Sequence, residues 1–409
     1  MNSRQFARFG PRDKTEARIF AHALVARFYF YLPVLVHHME AELAEGGIAR
    51  PEAVAVSVIG LASVGMMVAQ YPSGLFADWV GCTRSLILAG MLQAVGILLF
   101  LVPGSVWAIA SAQIVIGVAT AFRSGADTTL LHAHLERVGD EERYGAALAR
   151  LRFLNTLGIG LAGTVGALMY AWKPMSVFVL SALASIVGVL SLVKVDDAAA
   201  LQQRSYRQVL RESLSEMRRN RVVQALLLLG GLGNPFFVFV YWITQRYLID
   251  ADFSLAGIGL TVASISLLQA ATMPLSAWLS HDRGRLLCGL VALILVLPLS
   301  FVFVAIAWDH ARGLGAAVLV AVASCHVVFR NIVNVRIQSL VPRPIRASVV
   351  SFEAWLGALG YLILFPLAGW LLARFGLSGA FVSLATILAA CLWPPTILLL
   401  WPRRPRHPE

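Results

Sequence analysis

The chain has 409 residues, 58% of them hydrophobic and 13% charged, with a mean hydropathy of +0.75. Ordinary globular domains carry about 25% charged residues, so this chain lacks the polar side chains to cover itself in water, and a soluble, disordered or collagen-like protein is excluded. The net charge of +11 raises nucleic acid as a partner, a question settled by where the charges lie.

A membrane-crossing helix needs roughly 20 apolar residues. Twelve such stretches follow one another, at about 18–37, 52–72, 85–103, 106–133, 149–171, 175–194, 222–247, 255–279, 286–308, 314–340, 348–374 and 379–401. A basic leader (Arg4, Arg8, Arg12, Lys14 and Arg18) precedes the first, with no small-residue cleavage site, so the first span reads as a retained helix. Arg27 falls about ten residues into span one, and Tyr31, four residues on, is expected on the same helical face. A cation at that depth is costly unless it faces water or a partner, so Arg27 is read as a cavity cation for an anionic group, with an inter-span ion pair as the alternative. The His37–His38 pair with Glu40 and Glu42 follows span one and reads as a solvated cluster, not a metal site.

Span four carries Gln113, Thr120, Asp127 and His134 at seven-residue intervals, with Arg123 one turn before Asp127. This is a polar stripe in which Arg123 and Asp127 are expected to pair at i,i+4. The connection 195–221 contains Arg204, Arg207, Arg211, Arg218, Arg219 and Arg221, with Val209, Leu210, Leu214 and Met217 on one face, and predicts an amphipathic helix on the membrane surface. Span seven carries Asn234, and span ten carries His326, Arg330 and Asn334 at four-residue spacing. Glu353 opens span eleven without a basic residue at i±3 or i±4 in its own helix.

With the N-terminus inside, the inner segments hold 25 of the 33 Lys and Arg, the outer loops five, and three (Arg27, Arg123 and Arg330) lie within spans. The excess positive charge is therefore an orientation signal matched to anionic inner-leaflet lipid, and nucleic acid is dismissed. Both termini are expected in the cytoplasm. At an offset of 207, Phe122-Arg123 recurs as Phe329-Arg330, Asp127 falls on Asn334 and Arg27 on Asn234. The expected organisation is an all-α membrane protein of two pseudo-symmetric six-helix bundles, 1–197 and 222–409, joined by a linker over 198–221. Duplicated halves around a central site are a transporter plan.

Between spans two and three the chain reads Gly74-Leu-Phe-Ala-Asp78-Trp79-Val-Gly81-Cys82-Thr83-Arg84. This resembles the loop signature of the major facilitator superfamily, in which Gly74, Asp78 and Gly81 match and only Arg84 keeps the basic character after the second glycine. Ser280–Arg285 is a looser second copy, and Val341–Ser348 also looks like the family. The resemblance covers the whole chain. It implies the superfamily's twelve-helix fold, and a loop (Gly74, Asp78, Gly81, Arg84) that latches the inner face. On the residues alone, the glycines permit close helix approach and a tight turn, and Asp78 needs Arg84 or a helix N-terminus as partner.

The implied function is secondary transport of a small organic solute across a bacterial inner membrane, by a monomer without cofactor or metal and without enzymatic activity. The loop and span-one pattern look most like the superfamily's drug and metabolite exporters, so proton-coupled efflux is the leading expectation. Import of an organic anion or siderophore-like solute is one rival, and a non-transporting receptor or assembly factor is another. Candidate substrate-binding residues are Arg27, Tyr31, Arg123, Asn234, Arg330 and Asn334; candidate proton carriers are Glu353, Asp127 and His326. No Walker-type Gly-Lys-Ser/Thr sequence occurs, so ATP is not expected to drive transport. The four cysteines show neither metal-ligand nor disulfide spacing, and read as buried or interfacial thiols.

Overall fold

The computed structural model describes residues 11–196, 215, 218–280, 283–341 and 346–400, and among these no strand occurs. The helices are α1 (Lys14–Val25), α2 (Leu35–Glu45), α3 (Pro51–Ile59), α4 (Leu61–Val80), α5 (Cys82–Leu99), α6 (Val106–Arg123), α7 (Ala126–Arg137), α8 (Tyr144–Trp172) and α9 (Pro174–Leu190). They continue as α10 (Arg221–Asp250), α11 (Leu255–Ser280), α12 (Arg283–His310), α13 (Arg312–Ser324), α14 (His326–Leu340) and α15 (Arg346–Leu400), the last being two helices joined at Gly376, where φ is +67°. Each expected span contains helix, though not every span is helical throughout. The predicted linker helix lies almost wholly outside the described residues.

The helices begin and end for local reasons. Asp13 caps α1 by accepting from the Thr15 and Glu16 N–H groups at 2.8 Å each, while Glu16 accepts from the Arg12 N–H at 2.7 Å, a reciprocal arrangement that satisfies otherwise orphaned donors. Pro51 and Pro174 open α3 and α9, where a missing N–H costs nothing. Gly81 turns the chain between α4 and α5 at φ +110°.

Spans one and four are broken where the sequence predicts continuous helices, and span two carries a one-residue interruption at Gly60 between α3 and α4. Span one leaves helix at Ala26 and resumes only at the 3-10 turn Leu32–Val34. Span four breaks at Ser124–Gly125, with Gly125 left-handed at φ +83°. Span ten carries a milder interruption at Cys325. Freed backbone groups need new partners inside a membrane protein. In span one, Phe28 N–H donates to Val25 O and Leu32 N–H to Tyr29 O, while Gln245 donates to Leu32 O and accepts from Val36 N–H. Glycines make room for the irregular stretch: a Cβ at Gly166 would meet Phe30 O, one at Gly158 would meet Leu24 O, and one at Gly188 would lie 2.7 Å from the Ala26 Cβ.

The chain divides into two compact units, one of Met1–Gln203, Tyr241–Ala271 and Leu362–Arg374, the other of Arg204–Val240, Thr272–Tyr361 and Phe375–Glu409. In the first, Ile19, Phe20, Leu86, Leu130, Leu131 and Leu151 form a buried cluster. The α4–α6 pair closes to backbone contact through Gly65 against Ile114 O and Gly117 against Ala62 O, the small-residue packing that apolar surroundings favour. Large apolar side chains face outward instead of in: Leu168, Leu190, Leu299 and Ile306 are all more than 60% exposed. In water this would be an aggregation surface; in lipid it is the solvated face. Cys82 is buried, Cys325 and Cys391 are half-buried, Cys288 is exposed, and all four are free thiols.

Candidate functional site

The first unit holds a polar cluster within the spans. It is built on the two broken spans and lies in an enclosed pocket of about 10 Å³, lined by His22, Arg27, Arg123, Asp127, Asn155 and Leu86 among others; that is room for roughly one water. Arg27 Nε donates to Asn155 Oδ1 at 3.2 Å, and Arg123 donates to the Tyr29 hydroxyl at 2.9 Å and to Thr120 Oγ1 at 3.4 Å. His22 Nδ1 lies 2.9 Å from Gly188 O. A carbonyl only accepts, so Nδ1 carries a proton and donates to Gly188 O. The arrangement sets guanidinium and amide donors against a carboxylate.

The break in span four changes the expected pairing of Arg123 and Asp127. The i,i+4 relation requires continuous helix, and the chain leaves helix between them; among the described residues the two make no ion pair within 4 Å. Each charge instead sits on a complementary helix end: Arg123 in the last turn of α6, Asp127 in the first turn of α7. Asp127 Oδ1 accepts from Thr128 N–H at 2.8 Å. The seven-residue stripe is likewise divided. Gln113 meets Met39 Sδ at 3.7 Å, while His134 Nε2 lies 2.8 Å from Asp13 Oδ2 at the far end of α7.

The break in span one similarly removes Tyr31 from the face of Arg27. Tyr31 is 3% exposed and stacked on Phe178 at 5.6 Å between centroids. Tyr29 takes the place expected of it, within reach of both guanidiniums. The i,i+4 spacing that sets Tyr31 beside Arg27 holds only along continuous helix, and the chain is not helical over residues 26–31.

The second unit carries a chain of polar contacts from α14 through α10 to α15. His326 Nε2 lies 2.7 Å from Asn234 Oδ1, and Asn234 Nδ2 donates to the Tyr361 hydroxyl at 3.1 Å. The amide oxygen only accepts, so His326 holds its proton on Nε2. Arg330 is exposed and makes no hydrogen bond or ion pair among the described residues. Asn334 accepts from Gln338 Nε2 at 3.2 Å. Glu353 is 8% exposed, again without a hydrogen bond or ion pair among the described residues. It fits against Gly230, where a Cβ would lie 2.6 Å from Glu353 Oε1. Tyr361 was not anticipated; nothing in its local sequence marks it.

The signature loop is partly as expected. Gly81 supplies the tight turn, and Arg84 donates to Val80 O at 3.3 Å, capping α4. Gly74 does not serve close approach, since a Cβ there would meet nothing within 4 Å. The Asp78 side chain, like residues 281–282 and 342–345 of the related segments, lies outside the described residues. In the cluster after span one, His38 bonds Tyr170 Oη and Phe100 O, Glu40 pairs with Arg246, and Glu42 accepts from Gly104 N–H, so these side chains are engaged with protein groups.

Comparison with known proteins decides the family. A family model described as Major Facilitator Superfamily matches residues 19–353. The chain belongs to the Major Facilitator Superfamily. Solved superfamily structures share its fold at low identity. A POT family transporter in complex with 5-aminolevulinic acid aligns at 13% identity and TM-score 0.72, over 94% of this chain and 95% of that one. The nucleoside transporter NupG aligns at 14% and 0.71, over 95% and 99%. A human organic anion transporter aligns at 16% and 0.64, over 95% and 100%. No curated protein sequence matches at a significant level. The chain is thus a multi-pass membrane transporter with the Major Facilitator Superfamily fold, and the superfamily's members are transporters and not enzymes.

Proposed function

We propose that this transporter moves a small anionic or zwitterionic organic solute by alternating access, in exchange for protons that enter the cell. The reading rests above all on the charge balance of the intramembrane groups. Arg27, Arg123 and Arg330 lie within spans against two carboxylates, Asp127 and Glu353, and none of the three arginines has an ion-pair partner among the described residues. Arginines held at this depth by neutral partners (Asn155, Tyr29 and Thr120) leave positive field for a ligand. A guanidinium presents a planar fork of donors that suits carboxylate or phosphate. The broken first and fourth spans bring this chemistry to irregular backbone, as transporter sites are built.

Within this reading Arg27, Arg123 and Tyr31 are the candidate substrate residues of the first unit, and Arg330, Asn234 and Asn334 those of the second. Glu353 is the principal proton carrier, because it is a buried carboxylate with no ion pair among the described residues; Asp127 is second. His326 serves Asn234 as a donor and ranks below both. The Gly74–Arg84 loop acts as the inner latch. The protein sits in a bacterial inner membrane with both termini in the cytoplasm and works as a monomer.

The test compares untargeted metabolite profiles, inside and outside cells expressing the parent or Arg27→Ala. The parent should deplete one or more organic acids or amino-acid-like solutes from the cytoplasm, and a well-expressed Arg27→Ala should not. Equal profiles for the two would remove the cavity role of Arg27. The solute so found, reconstituted with the protein in vesicles, should respond to a pH gradient in the parent and lose that response in Glu353→Gln. An unchanged response in both Glu353→Gln and Asp127→Asn would favour uniport or another coupling ion.

A further inference from the structure

Beyond the end of span one, α2 carries Glu40, which packs against the last turns of α10. Glu40 Oε2 accepts from Arg246 Nη1 at 2.6 Å, and the same guanidinium pairs with Asp250 one turn further on. Two carboxylates therefore share one cation. Glu40 is 9% exposed, and its other oxygen, Oε1, is buried with no hydrogen-bond partner among the described residues. The charged groups facing Glu40 are Arg246 and Asp250 on α10 and Glu52 on α3, two acids and one base. Beside them Gln245 clamps α10 to span one through Leu32 O and Val36 N–H, so α10 stays attached to span one without the ion pair.

A buried carboxylate oxygen without a donor carries its full desolvation cost. Protonation removes that cost. It also leaves no stranded guanidinium, because Asp250 keeps Arg246 neutralised within its own helix. The asymmetry is built in: Arg246–Asp250 is local to α10, whereas Arg246–Glu40 ties two elements together.

We infer that Glu40 is a proton-binding site, one that takes a proton from the aqueous phase on Oε1 and thereby turns the α2–α10 tie from an ion pair into a hydrogen bond from the Arg246 guanidinium to a neutral carboxylic acid. The charge pattern of the chain places this end of the spans outside the cell. Glu40 lies outside the first span, and burial, reinforced by Asp250 and Glu52, pushes its carboxyl up to about 7 against the opposing pull of Arg246. The site differs from the Glu353 carrier and does not depend on substrate or direction of transport.

The experiment is infrared pH-difference spectroscopy on the full-length protein in lipid nanodiscs, following the protonated-carboxyl C=O band. The parent should show a band that titrates near neutral pH. Glu40→Gln should lose it, and Glu353→Gln should keep it, which separates this site from the proposed coupling residue. Asp250→Asn removes a neighbouring negative charge and leaves Arg246 to Glu40 alone, so the midpoint should fall by about one pH unit, a tenfold change in proton affinity. A near-neutral band of undiminished amplitude in Glu40→Gln, or its absence from Glu353→Gln, would overturn the proposal. If Glu40→Gln does not fold, an unmoved midpoint in Asp250→Asn overturns it equally.

Discussion

At the residue scale, function and stability draw on the same side chains through different contacts. Asp13 closes the N-terminus of α1 and holds His134 at 2.8 Å. Glu16, 1% exposed, is bound by Arg143, which also pairs with Asp140, itself paired with Arg12. This ties the start of span one to the end of span four. Burial alone would raise the Asp13 carboxyl, but the Glu16 N–H, His134 and the Thr15 N–H together hold it below its ordinary value of 3.8. A depressed carboxylate contributes stability above its unfolded pKa and loses it as pH falls through the folded value. Asp13→Ala should therefore cost about 1 kcal/mol at neutral pH, read as a lower melting temperature of the detergent-solubilised protein, with the difference from the parent shrinking in strong acid. Gly230→Ala makes a complementary point. The added methyl meets the end of a flexible side chain, Glu353 Oε1, so the variant should fold, yet Glu353 must move. If Glu353 carries the proton, Gly230→Ala in reconstituted vesicles should lose much of the response to a pH gradient while keeping solute exchange.

At the element scale the decisive features are the breaks. Span four reads as one amphipathic stripe because its polar residues recur every seven positions, and that periodicity is compatible with one helix or with two stacked end to end. Gly125 decides for two: its φ of +83° costs an L-residue about 1–2 kcal/mol. Gly125→Ala should lower stability by that amount in a thermal melt, whereas Gly74→Ala, where a Cβ meets nothing within 4 Å, should leave the melting temperature unchanged. Gly166 carries a heavier demand. A methyl there collides with the Phe30 carbonyl of the broken first span, and backbone cannot step aside as a side chain can. Gly166→Ala should reduce the yield of folded protein and lower its melting temperature more than Gly125→Ala does. Equal tolerance of all three would mean that the breaks in spans one and four are not held by these glycines.

At the scale of the whole molecule, the outward-facing leucines and isoleucines and the three most exposed tryptophans fit a bilayer. Trp107 stands at the N-terminal end of its helix and Trp79 and Trp172 at the C-terminal ends of theirs, each more than 80% exposed, as interfacial anchors do. The charge asymmetry makes the orientation testable: a cysteine introduced near residue 210 in a cysteine-free background should resist an impermeant thiol reagent in intact cells and react in inverted vesicles. Labelling from outside would reverse the proposed topology.

The sequence by itself determined the membrane class, the all-helical fold, the superfamily and which charges interrupt the apolar runs. Each follows from composition and from hydrophobic runs long enough to cross a bilayer, properties that are local and survive any packing. It located Arg27, Arg123, Arg330, Asp127 and Glu353 because a charge within an apolar run is conspicuous in one dimension. Tertiary structure alone decided who meets whom. Helical spacing predicted Tyr31 beside Arg27 and Arg123 beside Asp127; both failed because the helix ends between the partners, and the ending is dictated by neighbours far along the chain, such as Gly158 and Gly166 of α8. The His22 hydrogen bond depends on a carbonyl 166 positions away, the Glu353 niche on Gly230, and the shared cation of Glu40 on an arginine 206 positions on. No pattern within a span encodes such contacts, since they arise only when separate helices close to van der Waals distance and each buried polar atom must find a partner or go without.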